Sequence, residues 1–146
     1  MLCFLLLSSG CNGRQEQAQK KTPEELRNEL LSQERNSPLD YLTLEAVKLL
    51  PQTKKVRNAT LFKKAKYEPD GVLIQGYVNN KATLATFKDV SIKVIYYSKT
   101  NAIIGRKAFT LYEYYKPNSI TEFTVKDYPP EGWTTFNVVV LKAEGN

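Results

Sequence analysis

Between Asp89 and Tyr97 the chain alternates: Val90, Ile92, Val94 and Tyr96 are interleaved with Ser91, Lys93 and Ile95. A period of two places successive side chains on opposite faces of a strand, so one face of this segment is a core face. The same rhythm recurs on both sides of it. Val72, Ile74, Gly76 and Val78 share a face. In 103–115, Phe109 and Leu111 point one way and Tyr112 and Tyr114 the other. Phe123 and Val125 mark a strand over 120–125, and Phe136, Val138 and Val140 mark another over 133–141. Upstream, Leu42, Leu44 and Ala46 alternate as in a strand over 41–49, with a helix as the alternative, and a lysine-rich strand is expected over 57–67. Turn signals separate the strands: Glu68-Pro69-Asp70-Gly71, Ser98-Lys99-Thr100-Asn101, Lys116-Pro117-Asn118 and Tyr128-Pro129-Pro130-Glu131-Gly132. Proline presets one dihedral and glycine accepts a positive one, so each cluster is a turn with a mechanism. Several short strands at this spacing predict a mainly β protein, an immunoglobulin-like antiparallel β-sandwich.

Before the strands the period becomes helical. Thr22-Pro23-Glu24-Glu25 is a capping box with proline at the first helical position. Leu26, Leu30 and Leu31 then form an apolar stripe that needs a partner. One short N-terminal helix is therefore expected over 22–35, stopped by Asn36-Ser37-Pro38, because the residue before proline is pushed out of the helical region. Residues 12–21 carry three glutamines and nothing apolar larger than Ala18, which reads as a flexible tether. The expected organisation is a signal segment at 1–10, a lipidated cysteine and tether at 11–21, the amphipathic helix at 22–35 and the sandwich at 40–146.

The first residues supply an address. Leu2-Cys3-Phe4-Leu5-Leu6-Leu7 is followed by Ser8-Ser9-Gly10-Cys11. A span across a bilayer needs roughly 20 apolar residues, whereas this run has the length of a secretory h-region before a small-residue cut site. No Lys or Arg precedes it, and the expected true start lies upstream. Small residues before a cysteine form a site that a lipoprotein signal peptidase can cut, leaving Cys11 to carry the lipid. Two or more acyl chains anchor stably, where one holds only reversibly. The expected location is the cell envelope, with a lipid anchor in the outer membrane and the body facing the periplasm or the surface.

Composition narrows the chemistry. The chain of 146 residues has no histidine and two cysteines, Cys3 and Cys11. That excludes Ser-His-Asp and Cys-His catalysis, a histidine general base and a His/Cys zinc site. A carboxylate-, Lys- or Tyr-based hydrolase is the distant alternative. Glu24, Glu25, Asp89, Glu113 and Glu122 show no pairing in sequence and read as solvated charge. No cofactor and no metal are expected, and the protein reads as non-catalytic. The net charge is +6, concentrated at Lys54, Lys55, Arg57, Lys63, Lys64 and Lys66 with no acid between them. An exported, tethered protein rarely meets nucleic acid, so none is expected as a partner. Anionic lipid head groups fit this cluster. So does the blander reading, in which edge lysines keep sheets from pairing with other chains. Asn58-Ala59-Thr60 matches the glycosylation triplet, a motif too short and common to carry weight.

The stretch from Val72 to Val125 resembles the FxLYD-type family of immunoglobulin-like domains in bacterial envelope proteins. The residues that carry the likeness are Gly76-Tyr77-Val78-Asn79-Asn80 at one strand end, Val94-Ile95-Tyr96-Tyr97-Ser98 at the next, and the turn Lys116-Pro117-Asn118-Ser119. Val94, Tyr96 and Ser98 stand where that family more often has Phe, Leu and Asp. The wider order is similar to that of small envelope lipoproteins: a lipobox, a spacer, Thr22-Pro23-Glu24-Glu25-Leu26, then Asn36-Ser37-Pro38-Leu39-Asp40-Tyr41-Leu42 and a sandwich. The resemblance implies fold and location and brings no catalytic residue with it.

The remaining candidates are tyrosines. Tyr97, Tyr112, Tyr114 and Tyr115 fall on two strands joined by one hairpin, and those facing outward would form an aromatic patch. Tyrosine offers an apolar body with a polar tip and is enriched at interfaces. The patch would dock an envelope protein or stack on a glycan such as peptidoglycan; otherwise the rings pack under the helix. The functional expectation is a membrane-anchored binding or assembly module.

Overall fold

The structure, a computed structural model, describes residues 20–146. The signal segment, Cys11 and most of the tether lie outside the described residues. Helix α1 (Pro23–Asn36) and the single turn α2 (Pro38–Tyr41) precede six strands: β1 (Leu42–Arg57), β2 (Lys66–Asn80), β3 (Phe87–Tyr97), β4 (Ile103–Tyr115), β5 (Ser119–Asp127) and β6 (Thr135–Gly145). They form two three-stranded antiparallel sheets, ordered β1-β2-β5 and β4-β3-β6. Only β1–β2 and β3–β4 are hairpins within one sheet; the other connections cross between sheets, in the Greek-key manner of immunoglobulin-type sandwiches. The mainly β sandwich behind one short helix, expected from the alternation, is what the chain forms.

The core lies between the two central strands. Val72, Ile74 and Val78 of β2 face Val90, Ile92, Val94 and Tyr96 of β3, and all are buried. Leu111, Tyr115 and Phe123 close the core from the edge strands. Full burial of each such side chain contributes about 1.5–3 kcal/mol. Gly76 sits where a Cβ would come within 2.9 Å of the Phe123 ring and 3.0 Å of Val47. Its missing side chain lets those two residues meet over β2.

The chain departs from the expected layout in three places. First, residues 57–67 are not a strand. β1 runs on to Arg57, residues 58–65 form a loop, and β2 starts at Lys66. Second, Glu68-Pro69-Asp70-Gly71 is not a reversal but part of β2. Pro69, which has no N–H, pairs with Thr53 beside a register shift, and Gly71 takes φ +73° with the Asp127 carbonyl 2.5 Å from where a Cβ would sit. The proline and glycine are absorbed as an irregularity in a long ribbon. Third, Pro38 does more than stop α1. It opens α2, since its fixed φ and missing N–H suit a first helical turn.

At α1 the capping box forms as expected. Thr22 Oγ1 accepts from the Glu25 amide at 3.2 Å, and Glu25 Oε2 accepts from the Thr22 amide at 3.0 Å. The leucine stripe is only partly used: Leu31 packs against the core, while Leu26 and Leu30 remain exposed.

Candidate binding face

Glu34, near the C-terminal end of α1, is 1% exposed. Its Oε1 accepts from the Thr83 amide at 2.9 Å and from the Thr83 hydroxyl at 2.8 Å. Its Oε2 accepts from the amides of Leu84 at 2.9 Å and Ala85 at 2.7 Å. Desolvation is the largest single influence and pushes the carboxyl pKa up. The four hydrogen bonds together outweigh it and hold the pKa below the ordinary value. Glu34 therefore latches α1 onto the β2–β3 loop. Nothing in the sequence marked it beyond its place at a helix end.

Asn80 pins the same end of the sandwich. Its Nδ2 donates to the carbonyls of Ala85 and Tyr115 at 3.0 Å and of Lys116 at 3.1 Å, while Oδ1 accepts from the Ala82 amide at 3.0 Å. At the opposite end the Tyr96 hydroxyl donates to Asp127 Oδ2 at 2.7 Å, and Lys107 Nζ lies 3.2 Å from Asp127 Oδ1. Burial, then the Asp127 hydrogen bond and charge, raise the Tyr96 pKa. Trp133 meets the Tyr96 ring edge-on at 5.8 Å. These buried polar groups are occupied in holding sheets, loops and helix together.

The structure divides the four candidate tyrosines. Tyr115 is wholly buried, so it is no part of a surface patch. Burial, with a smaller influence from the Glu113 charge, pushes its pKa up to about 12. Tyr97 is half-buried and pairs with Ile103, whereas Tyr114 pairs with Lys88. Those positions lie nine residues apart on β3, roughly 30 Å at strand rise. The patch contracts to Tyr112 and Tyr114, which are 82% and 63% exposed. They stand two positions apart on the outward face of β4, an edge strand that among the described residues pairs with β3 alone.

Beside them, between the β4 and β5 edges, runs an open groove of about 510 Å³ lined by Thr110, Tyr112, Glu113, Glu122 and Thr124. Tertiary structure thus brings Glu113 and Glu122, which are separate in sequence, to one groove, and both side chains are exposed. Asp89 lines a small adjoining hollow with Lys142 and Glu144, which shares Thr110 and Tyr112 with the groove. The groove offers one exposed ring, Tyr112, with threonine hydroxyls and two carboxylate acceptors beside Leu111, Phe123 and Val125; Tyr114 does not line it. That set suits the rings and hydroxyls of a sugar, or the backbone and side chains of a partner strand. A second hollow, about 450 Å³, lies against Pro51, Pro69, Tyr128, Pro129 and Trp133 and is more apolar.

The six basic candidates do come together. Lys54, Lys55 and Arg57 on β1, Lys66 on β2, and Lys63 and Lys64 in the loop between them are all exposed on one hairpin. Lys66 Nζ lies 3.6 Å from Glu68 Oε1. The expected strand over 57–67 had hidden what sits at the reversal: Leu61 and Phe62, each 92% exposed.

Among the described residues no group of three or more His, Cys, Asp or Glu side chains could hold a metal ion. No helix among them is long and apolar enough to cross a membrane. Compared with known proteins, the chain matches no family model, no curated protein and no solved structure.

Proposed function

We propose that this protein is a lipid-anchored, non-catalytic binding module of a bacterial cell envelope, tethered through Cys11 and docking an envelope protein on the β4 face. The reading rests on one observation above the rest: Tyr112 and Tyr114 stand side by side, solvent-exposed, on a strand whose outer edge has no partner strand among the described residues. Exposed neighbouring aromatics on a rigid strand bury large area at little entropic cost when a partner arrives. The unpaired edge adds backbone donors and acceptors that a partner strand can use. Tethering raises the effective concentration of such a face at the membrane. The Leu2–Leu7 run, Ser8-Ser9-Gly10-Cys11 and the FxLYD-type resemblance support the location.

A photo-reactive residue at position 112 tests the face in cells. A defined adduct is expected from position 112 and none from position 99, on the hairpin at the far end of β4. Equal labelling, or none from position 112, overturns the docking face. Replacement of Cys11 by Ser tests the anchor separately: the variant is expected in the soluble fraction, and unchanged membrane partitioning overturns the tether.

The groove favours a second reading, glycan binding. Glu113 and Glu122 beside Tyr112 provide acceptors next to a stacking ring. On that reading the protein is retained on purified peptidoglycan, and the Tyr112→Ala/Tyr114→Ala variant is released from it. Retention unchanged by the double substitution sinks it.

A further inference from the structure

The β1–β2 hairpin reaches beyond the rest of its sheet. β5 pairs with β2 only from Val72 to Asn80, whereas β1 and β2 continue to pair with each other out to Arg57 and Lys66. Thr53 to Arg57 and Lys66 to Pro69 are exposed along their whole length. The result is a two-stranded arm projecting roughly 13 Å past the sandwich at strand rise. Its tip is ordered by a local turn: the Thr60 amide donates to the Lys63 carbonyl at 2.8 Å, and the Lys63 amide donates to Thr60 Oγ1 at 3.1 Å. Arg57 ties the base of the loop by donating to the Lys64 carbonyl at 3.0 Å. The two residues held at the apex of that turn are Leu61 and Phe62.

Turn apices are normally Gly, Asn, Asp, Ser or Pro. Two large apolar side chains there cost solubility, and the described residues leave both almost fully exposed. Edge protection explains lysines on a ribbon; it does not explain Leu-Phe at its end. The charge pattern identifies the occupant. No Asp or Glu occurs from Ala46 to Tyr67; the arm's one acid, Glu68, pairs with Lys66, and the remaining cations lie on either side of the apex, on β1 and in the loop. A second copy of this chain would bring the same positive charge and be repelled. A surface that is anionic at its boundary and apolar beneath fits both features in order, cations outside and Leu-Phe within. Tyr67, exposed further down the arm, lies where an interfacial aromatic would sit.

We propose that this arm is a membrane-docking element: Leu61 and Phe62 enter the surface of an anionic phospholipid bilayer while Lys54, Lys55, Arg57, Lys63 and Lys64 contact its head groups. The contact is separate from any acyl chain on Cys11 and would set the orientation of the sandwich on the membrane.

The test uses the full chain with Cys11→Ser, so that acylation plays no part. Trp133 is the single tryptophan, so Trp133→Phe with Phe62→Trp leaves one reporter, at the tip. With vesicles of phosphatidylglycerol and phosphatidylcholine, its emission is expected to shift to shorter wavelength and to be quenched by brominated acyl chains. Both effects should shrink as salt is raised and vanish on phosphatidylcholine alone. The readout is local to the tip, so adsorption through Leu2–Leu7 cannot mimic it. Emission that stays at its water-exposed value on anionic vesicles overturns the proposal and leaves the arm as a protein contact. Equal insertion into neutral vesicles overturns the head-group contacts. Because Trp133 packs on Tyr96, a second pair keeps the native tryptophan. Leu61→Ser/Phe62→Ser is expected to lower vesicle partitioning at least tenfold, whereas Leu39→Ser/Ile120→Ser, exposed elsewhere, leaves it unchanged. Equal partitioning of the two variants also overturns the proposal. Failure of either test leaves the Cys11 anchor untouched, because no acyl chain is present.

Discussion

Glu34 and Tyr115 are opposite cases of a buried polar group. Glu34 has every acceptor site engaged by the β2–β3 loop, so removing its charge should be expensive. An amide at this position must turn an N–H toward donors. Glu34→Gln is expected to cost about 1.5–3 kcal/mol, the range for hydrogen bonds to a charged group, seen as a lowered urea midpoint. The pH dependence follows from the lowered carboxyl pKa. Its stabilisation is complete above the ordinary value of 4.5 and is lost as pH falls through the lower folded value. The stability gap between wild type and Glu34→Gln should therefore be widest near neutrality and narrow on acidification below 4.5; a gap that widens in acid would contradict the latch. Tyr115 is buried without a partner for its hydroxyl among the described residues. Replacing it with Phe removes an unpaired polar atom and keeps the ring, so Tyr115→Phe is expected to be neutral or to stabilise by up to about 1 kcal/mol. A loss above that size in equilibrium unfolding would mean the hydroxyl is bonded. Neither residue could be singled out in sequence. A glutamate at a helix end and a tyrosine on a strand are ordinary until the fold brings three loop amides to one and a closed core to the other.

Among the elements, those with both faces decided by the core were the legible ones. β3 follows its alternation of Val90, Ile92, Val94 and Tyr96, and β2 follows Val72, Ile74, Gly76 and Val78, because a one-residue slip would expose the whole apolar set. The arm could not be read in the same way. Its side chains face water on both sides, so no hydrophobic pattern distinguishes strand from loop there, and the only strong local signal, Pro69-Asp70-Gly71, belongs to a bulge. Isolated hairpins are marginally stable, and local stability tracks burial. The amides of Thr53 and Lys55 are thus expected to exchange with deuterium at least about a hundredfold faster than those of Ile74 and Val78. Equal protection would mean that the arm is buried in an assembly. Helix α1 is intermediate. Its start was written in the capping box, but its docking depends on Glu34 and Leu31 rather than on the full leucine stripe.

In the whole molecule the two candidate surfaces lie at opposite ends. Tyr114 pairs with Lys88, beside Phe87, whose partner Gly145 packs against Arg35 of α1. The arm projects from the other end of β1 and β2. A sandwich standing on its arm would therefore present Tyr112 and Tyr114 away from the bilayer, where a partner can reach them. Local chemistry was enough for the choice of a β fold, most of the strand faces, the helix start and the chemistries that a chain without histidine cannot perform. Those depend on side-chain period, capping and residue inventory, which neighbours along the chain already specify. Long-range contacts alone selected the rest. They put Tyr115 inside and Tyr112 outside, sent Tyr97 to the far end of β3, brought Glu113 and Glu122 to one groove, and lifted Leu61 and Phe62 to the tip of an arm. Each of those outcomes turns on which strands pair and where the pairing stops, and no local window of residues contains that information.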